Sequence, residues 1–146
     1  MVTNSSYITT NMTTMDPTTY KSAIDANFNV IQRIATMFAC YPSSVPAMNV
    51  NLLPGAVLNG VTLTTTAVQT SSTITAPSSA NAQRIDRVMV SKASGGLLYV
   101  TGTASSAPAA PAISSGYLPV AQILLSTATI AIDNSLLTDE RTLYVF

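Results

Sequence analysis

The chain has 146 residues, with six Lys/Arg balanced by six Asp/Glu, so its net charge is zero. Only 8% of the residues are charged and 47% are hydrophobic, which excludes a nucleic-acid partner held by phosphate counterion release and favours association with other chains. The absence of histidine and the single cysteine, Cys40, exclude an internal disulfide framework and a Cys–His nucleophile.

Residues 1–15 are rich in Thr, Asn, Ser and Met and lack both a basic segment and an apolar run, so no secretory signal is expected. They read as an extended N-terminal arm. Asp16-Pro17 then forms a helix start, with Asp at the N-cap and Pro at the first helical position. A helix is predicted over 16–41. Ile24, Ile31 and Phe38 recur at intervals of seven, with Asn27 and Ile34 in the intervening register. This spacing fits an amphipathic helix docked on its own domain. It also fits the a/d seam of a short coiled coil, for which Ile at both positions favours three strands.

Pro42 and Pro46 end the helical pattern and open a linker over 42–54. Beyond it the period changes. Val57, Asn59, Val61 and Leu63 alternate with polar residues, Asn59-Gly60 signals a turn, and "RIDRVMVSK" alternates in a way that suggests a strand covered on both faces. Arg84 to Thr103 reads as a β-hairpin turning at Gly95-Gly96. "YLPVAQILLSTATIAI" supplies one or two more strands and "LTDERTLYVF" the last. The fold expected is mainly β: the arm and one helix, followed over 55–146 by an antiparallel β-sandwich or barrel-like domain.

Chemistry finds little support. Asp139 and Glu140 are adjacent and so point to opposite faces of a strand, whereas glycoside cleavage requires convergent carboxylates. No phosphate loop, metal-ligand spacing or cofactor motif occurs, so neither enzyme activity nor a cofactor is expected. No apolar run approaches the roughly 20 residues of a membrane span. Cys40 reads as a small buried apolar side chain. The scarce charges suggest that Arg84 or Arg87 pairs with Asp139 or Glu140; solvated surface charge is the plainer alternative. Tyr99 and Tyr117 are aromatic enough to contribute to a glycan-binding surface, although such residues equally line a core edge or a subunit interface.

The order of short motifs adds a resemblance. Arg84-Ile85-Asp86 with Val88 and Val90, then Thr101-Gly102-Thr103, Pro108 and Pro111, then Gly116, Leu118, Pro119, Ala121 and Ile123, and finally Asp139 and Arg141, are similar to a small β module of bacteriophage tail-fibre and baseplate proteins. The likeness spans roughly residues 80 to 142. The helix, with "NFN" at 27–29, is similar to helices that open phage fibre proteins. The turn "SKASGG" departs from the Asp-Arg-Thr-Gly type usual in that family. The resemblance implies a trimeric structural protein of the virion, assembled in the host cytoplasm. It would bind other virion proteins through residues 1–15 and the helix. A receptor- or glycan-binding fibre tip is the alternative.

Overall fold

The computed structural model describes residues 17–79 and 82–141. The expected arm at 1–15 and the Asp16 cap lie outside the described residues. The chain divides into two units, residues 1–35 and 36–146.

The first unit is helix α1, Pro17–Thr36, with Pro17 at its first position as expected. Lys21 Nζ meets Asp25 Oδ2 at 2.6 Å, an exposed pair one turn apart, the kind that contributes about 0.3–0.5 kcal/mol. Ile24, Asn27, Ile31 and Ile34 are all exposed on this helix.

The helix stops five residues before the predicted end at 41, and Phe38 is not a seam residue. Its backbone takes the left-handed conformation, φ 55°, and its side chain is buried in the β domain. A left-handed residue just past a helix ends it. For a residue other than glycine that conformation costs about 1–2 kcal/mol, which burial of a phenyl ring offsets.

The second unit is built of three antiparallel sheets around one core. The first contains β1 (Cys40–Pro42), β2 (Val50–Leu52) and β5 (Gln69–Thr70) in the order β1-β2-β5. Strand β2 occupies the stretch read as a linker, and β1 takes up Cys40 and Tyr41, which were read as the end of the helix. Val50 and Leu52 point inward and are fully buried, with Asn51 between them, the period-2 pattern of a half-buried strand. Beyond β5 the regular ladder ends, yet Ser71 and Ile74 still donate backbone hydrogen bonds to Val50 and Met48.

The second sheet is the hairpin of β3 (Gly55–Asn59) and β4 (Thr62–Thr66), turned at Gly60-Val61. Gly60 has φ 60°, which a two-residue hairpin turn with Gly in its first position requires. The turn also reverses the faces. Val57 pairs with Thr64 toward the core, while Leu58 pairs with Leu63 on the other side. Val57 and Leu63 therefore do not share a face, contrary to the linear alternation.

The third sheet runs β7-β6-β8-β9: β6 (Gln83–Ser91), β7 (Leu97–Val100), β8 (Tyr117–Ser126) and β9 (Leu137–Asp139). A short 3₁₀ turn, Asn134–Leu136, capped by Asp133, precedes β9. Long pairing between β6 and β8 breaks register at Val88/Met89, where Ala121 and Pro119 are the successive partners. Val120 is the extra residue of this bulge. Pro119 cannot donate to a ladder, and a bulge is where a sheet accommodates it. Both Val120 and Ala121 are thereby buried. The core joins Phe38, Val50, Leu52, Val57 and Ile74 to Val88, Val90, Ile123, Leu125 and Ile132. Gln69 clamps the β6–β7 turn, accepting from Leu97 N at 2.8 Å and donating to Gly95 O at 2.9 Å.

Candidate functional site

The charges of the β domain organise it from within. Alternation along β6 places Arg84, Asp86 and Val88 on one face and Ile85, Arg87 and Met89 on the other. Each face carries its own ion-pair network.

On the first face Arg84 grips Asp86 two residues along the same strand, with Nε to Oδ1 at 2.7 Å and Nη2 to Oδ2 at 2.8 Å. The same Nη2 donates to Thr75 O at 2.6 Å. Asp86 is 0% exposed. It also accepts from the Gly102 N–H at 2.7 Å and from the Tyr99 hydroxyl. A carboxylate withdrawn from water needs several donors, and here four N–H or O–H groups supply them. The pair holds the Arg84 guanidinium above its ordinary value, the Asp86 hydrogen bond outweighing desolvation. Burial, followed by the Asp86 bond, raises the Tyr99 phenol.

Gly102 belongs to this network for steric reasons. A Cβ there would lie 2.0 Å from the Ile85 carbonyl oxygen. The segment continues along β6, where Gln83 and Ser105 exchange both backbone hydrogen bonds at 2.9 Å.

On the second face Arg87 forms a two-pronged pair with Glu140, Nε to Oε2 and Nη2 to Oε1, both at 2.9 Å. Its Nη1 donates to the Pro111 carbonyl, and Gln122 Nε2 donates to Glu140 Oε1 at 2.6 Å. One guanidinium thus ties β6, the proline segment and the chain following β9. The Glu140 N–H meanwhile satisfies the carbonyl of the bulged Val120 at 2.9 Å.

Of the sequence-predicted partners, Arg87 and Glu140 meet. Arg84 does not reach Asp139 or Glu140, because it lies on the opposite face of β6 and is taken by Asp86. Asp139 pairs with Arg141 instead, Nη2 to Oδ2 at 2.6 Å, and Arg141 also donates to Met37 O at 2.8 Å. The Arg141 hydrogen bond holds the Asp139 carboxyl below its usual value. Asp86, Gly102, Gln122 and Arg141 were not among the predicted site residues. Asp86 was signalled by its period-2 spacing from Arg84 and, like Gly102 and Arg141, by the motifs of the phage-module resemblance, while Gln122 meets Glu140 only through the β6-β8-β9 register.

Tyr99 and Tyr117 do not form one surface. Tyr99 pairs with Val88 and Tyr117 with Ser91, residues on opposite faces of β6, and the Tyr99 hydroxyl is engaged by Asp86. Cys40 is half-buried beside Asp139 and Arg141. Burial first, and the Asp139 charge second, push its thiol up to about 12, with Arg141 opposing them. A thiol so placed stays protonated and is a poor nucleophile. Among the described residues no three His, Cys, Asp or Glu side chains gather where they could hold a metal, and no helix is long and apolar enough to cross a membrane.

Six of the domain's eight charged residues are therefore engaged in ion pairs within it: Arg84–Asp86, Arg87–Glu140 and Asp139–Arg141. Among the described residues of the domain, only Lys92 and Asp133 are charged and outside an ion pair. Between Arg33 and Arg84 the chain has no charged residue at all. Large apolar side chains stand exposed along α1 and at the tip of the β3–β4 hairpin. No protein-family model matches the chain, and no curated protein is significantly similar to it in sequence.

Proposed function

We propose that the protein is a non-enzymatic structural component of a bacteriophage virion, acting as a homotrimer that assembles onto the particle. The observation that carries this reading is the disposition of charge. The β domain engages nearly all its ions internally and leaves apolar side chains outside. A free monomer with such a surface is poorly protected against association; a subunit whose surface is covered by neighbours is not at risk.

Two further features support it. The exposed stripe Ile24, Ile31 and Ile34, with Asn27 in register, suits a three-stranded seam. The motifs of the phage-module resemblance also prove to be coupled physically. Asp86 of the Arg-Ile-Asp strand accepts from the Gly102 N–H of Thr-Gly-Thr, while Arg87, the next residue of that strand, donates to Pro111 O and to Glu140, which lies between Asp139 and Arg141. The parts of that pattern meet at hydrogen-bonding distance, as expected of a module whose motifs hold it together. The alternative, a glycan-binding tip, draws less support because Tyr99 and Tyr117 face apart.

Multi-angle light scattering on the full chain tests the reading. A trimer converted to a smaller species by Ile31→Asp is expected. A wild-type chain that stays monomeric across the accessible concentration range overturns it.

A further inference from the structure

The β3–β4 hairpin forms a two-stranded sheet of its own. At its base Val57 enters the core, and Gly55 lies so close to the Phe38 ring that a Cβ would approach it to 2.5 Å. The distal half is different. Leu58 is 67% exposed, Leu63 64% and Val61 100%. Leu58 and Leu63 are direct cross-strand partners and so point to the same side. With Val61 at the turn they make an apolar patch on the order of 400 Å², as large as the functional patches of typical monomers.

The hairpin's outer edges are equally unguarded. Among the described residues neither β3 nor β4 has a second strand beside it, and a lone two-stranded hairpin is marginal in water. Sheet edges are usually protected by Lys, Pro or inward charges. This one has no charge between Arg33 and Arg84 and no proline between Pro54 and Pro77.

We propose that this hairpin is a self-association surface whose occupant is the same hairpin of a second copy of the chain. Charge selects that occupant. A basic or acidic partner finds no counter-ion here and would leave its own charge desolvated, which is unfavourable. The hairpin itself is a surface that matches: Leu58, Val61 and Leu63 carry no charge, and Thr62, Thr64, Thr65 and Thr66 make β4 a strand whose residues pair well across an edge. The contact differs from the helix seam in residues and in unit, and it stands whether or not the seam trimerises.

Sedimentation equilibrium on the full chain tests it in two backgrounds, wild type and Ile31→Asp. L58K/L63K is expected to weaken association by about tenfold or more in both, since it buries unmatched charge, with the melting temperature of the monomer unchanged. L58T/L63T keeps β-forming residues if the lysine variant fails to fold, and should weaken association to a lesser extent. Hydrogen exchange over residues 56–65 should slow as chain concentration rises. Equal association of wild type and both hairpin variants in the Ile31→Asp background overturns the proposal, even if the seam reading survives. Exchange over 56–65 that is independent of concentration overturns it too and gives the patch to a different partner.

Discussion

Arg87 and Glu140 lie 53 positions apart in sequence and meet in a two-pronged ion pair with both contacts at 2.9 Å. Both side chains are largely buried, and Pro111 and Gln122 complete their hydrogen bonding. Removing one member leaves the other charge buried without a counter-ion, at a cost of about 3–5 kcal/mol. Arg87→Met and Glu140→Leu should each destabilise the β domain by that order in urea unfolding. The double variant should recover much of the loss, because two apolar side chains leave no orphaned charge. A double-mutant cycle without coupling would show that the pair is incidental.

Two glycines should respond to alanine for different reasons. At Gly102 the obstacle is space, since a Cβ meets the Ile85 carbonyl oxygen at 2.0 Å. The segment must move away from β6 and the Gly102–Asp86 hydrogen bond is lost, so Gly102→Ala is expected to cost about 2–4 kcal/mol. At Gly116 nothing lies within 4 Å of a Cβ, but φ is +78°. Gly116→Ala should cost only the left-handed backbone penalty, about 1–2 kcal/mol. Denaturant melts of the two variants would separate close approach from conformation.

Tyr99 gives the domain an alkaline limit. Its phenol lies above the ordinary value of 10.0, because burial disfavours the phenolate and the hydrogen bond to Asp86 requires the proton. The folded state therefore holds this proton more tightly than the unfolded chain. The associated stability is fully present below pH 10 and is lost as pH rises toward the folded-state value. Stability measured from pH 10 upward should decline, and Tyr99→Phe should flatten part of that slope. Spectroscopic titration should find one tyrosine ionising well after the exposed ones. If Tyr99→Phe leaves the slope as steep as in wild type, Tyr99 is not its origin.

What the sequence made legible follows the range of the interactions. The β6–β7 hairpin and the start of α1 depend on local signals, an alternating strand with a glycine turn and a proline at the first helical position, and both appear where expected. The pairing of Arg87 with Glu140 was open to inference because charges are so few. Which arginine pairs depended on strand faces: Arg84 and Arg87 are three residues apart and so lie on opposite sides of β6. Strand β1 was hidden because Cys40 and Tyr41 were read as continuing the helix up to Pro42, and β2 because Pro42 and Pro46 read as linker, in which the inward residues Val50 and Leu52 span too short a run to show a period. In the β3–β4 hairpin, alternation read straight through the turn put Val57 and Leu63 together, whereas the turn places them on opposite faces.

Phe38 shows the same limit, and it separates the two units experimentally. Its spacing from Ile31 matches a helical seam, but the helix ends at Thr36 and the ring packs in the β core against Gly55. Phe38→Ala should therefore cost about 3–5 kcal/mol of β-domain stability through the cavity it leaves. Ile31 is 62% exposed on α1, so Ile31→Ala should change β-domain unfolding by no more than about 0.5 kcal/mol while weakening any helix-borne association. Denaturation followed by hydrogen exchange in Val50–Leu52 and Val88–Val90, with light scattering on the same samples, reads both effects. Equal losses of β-domain stability for Phe38→Ala and Ile31→Ala would return Phe38 to the seam. A large loss for Phe38→Ala alone would fix it as the residue at which the helix gives way to the core.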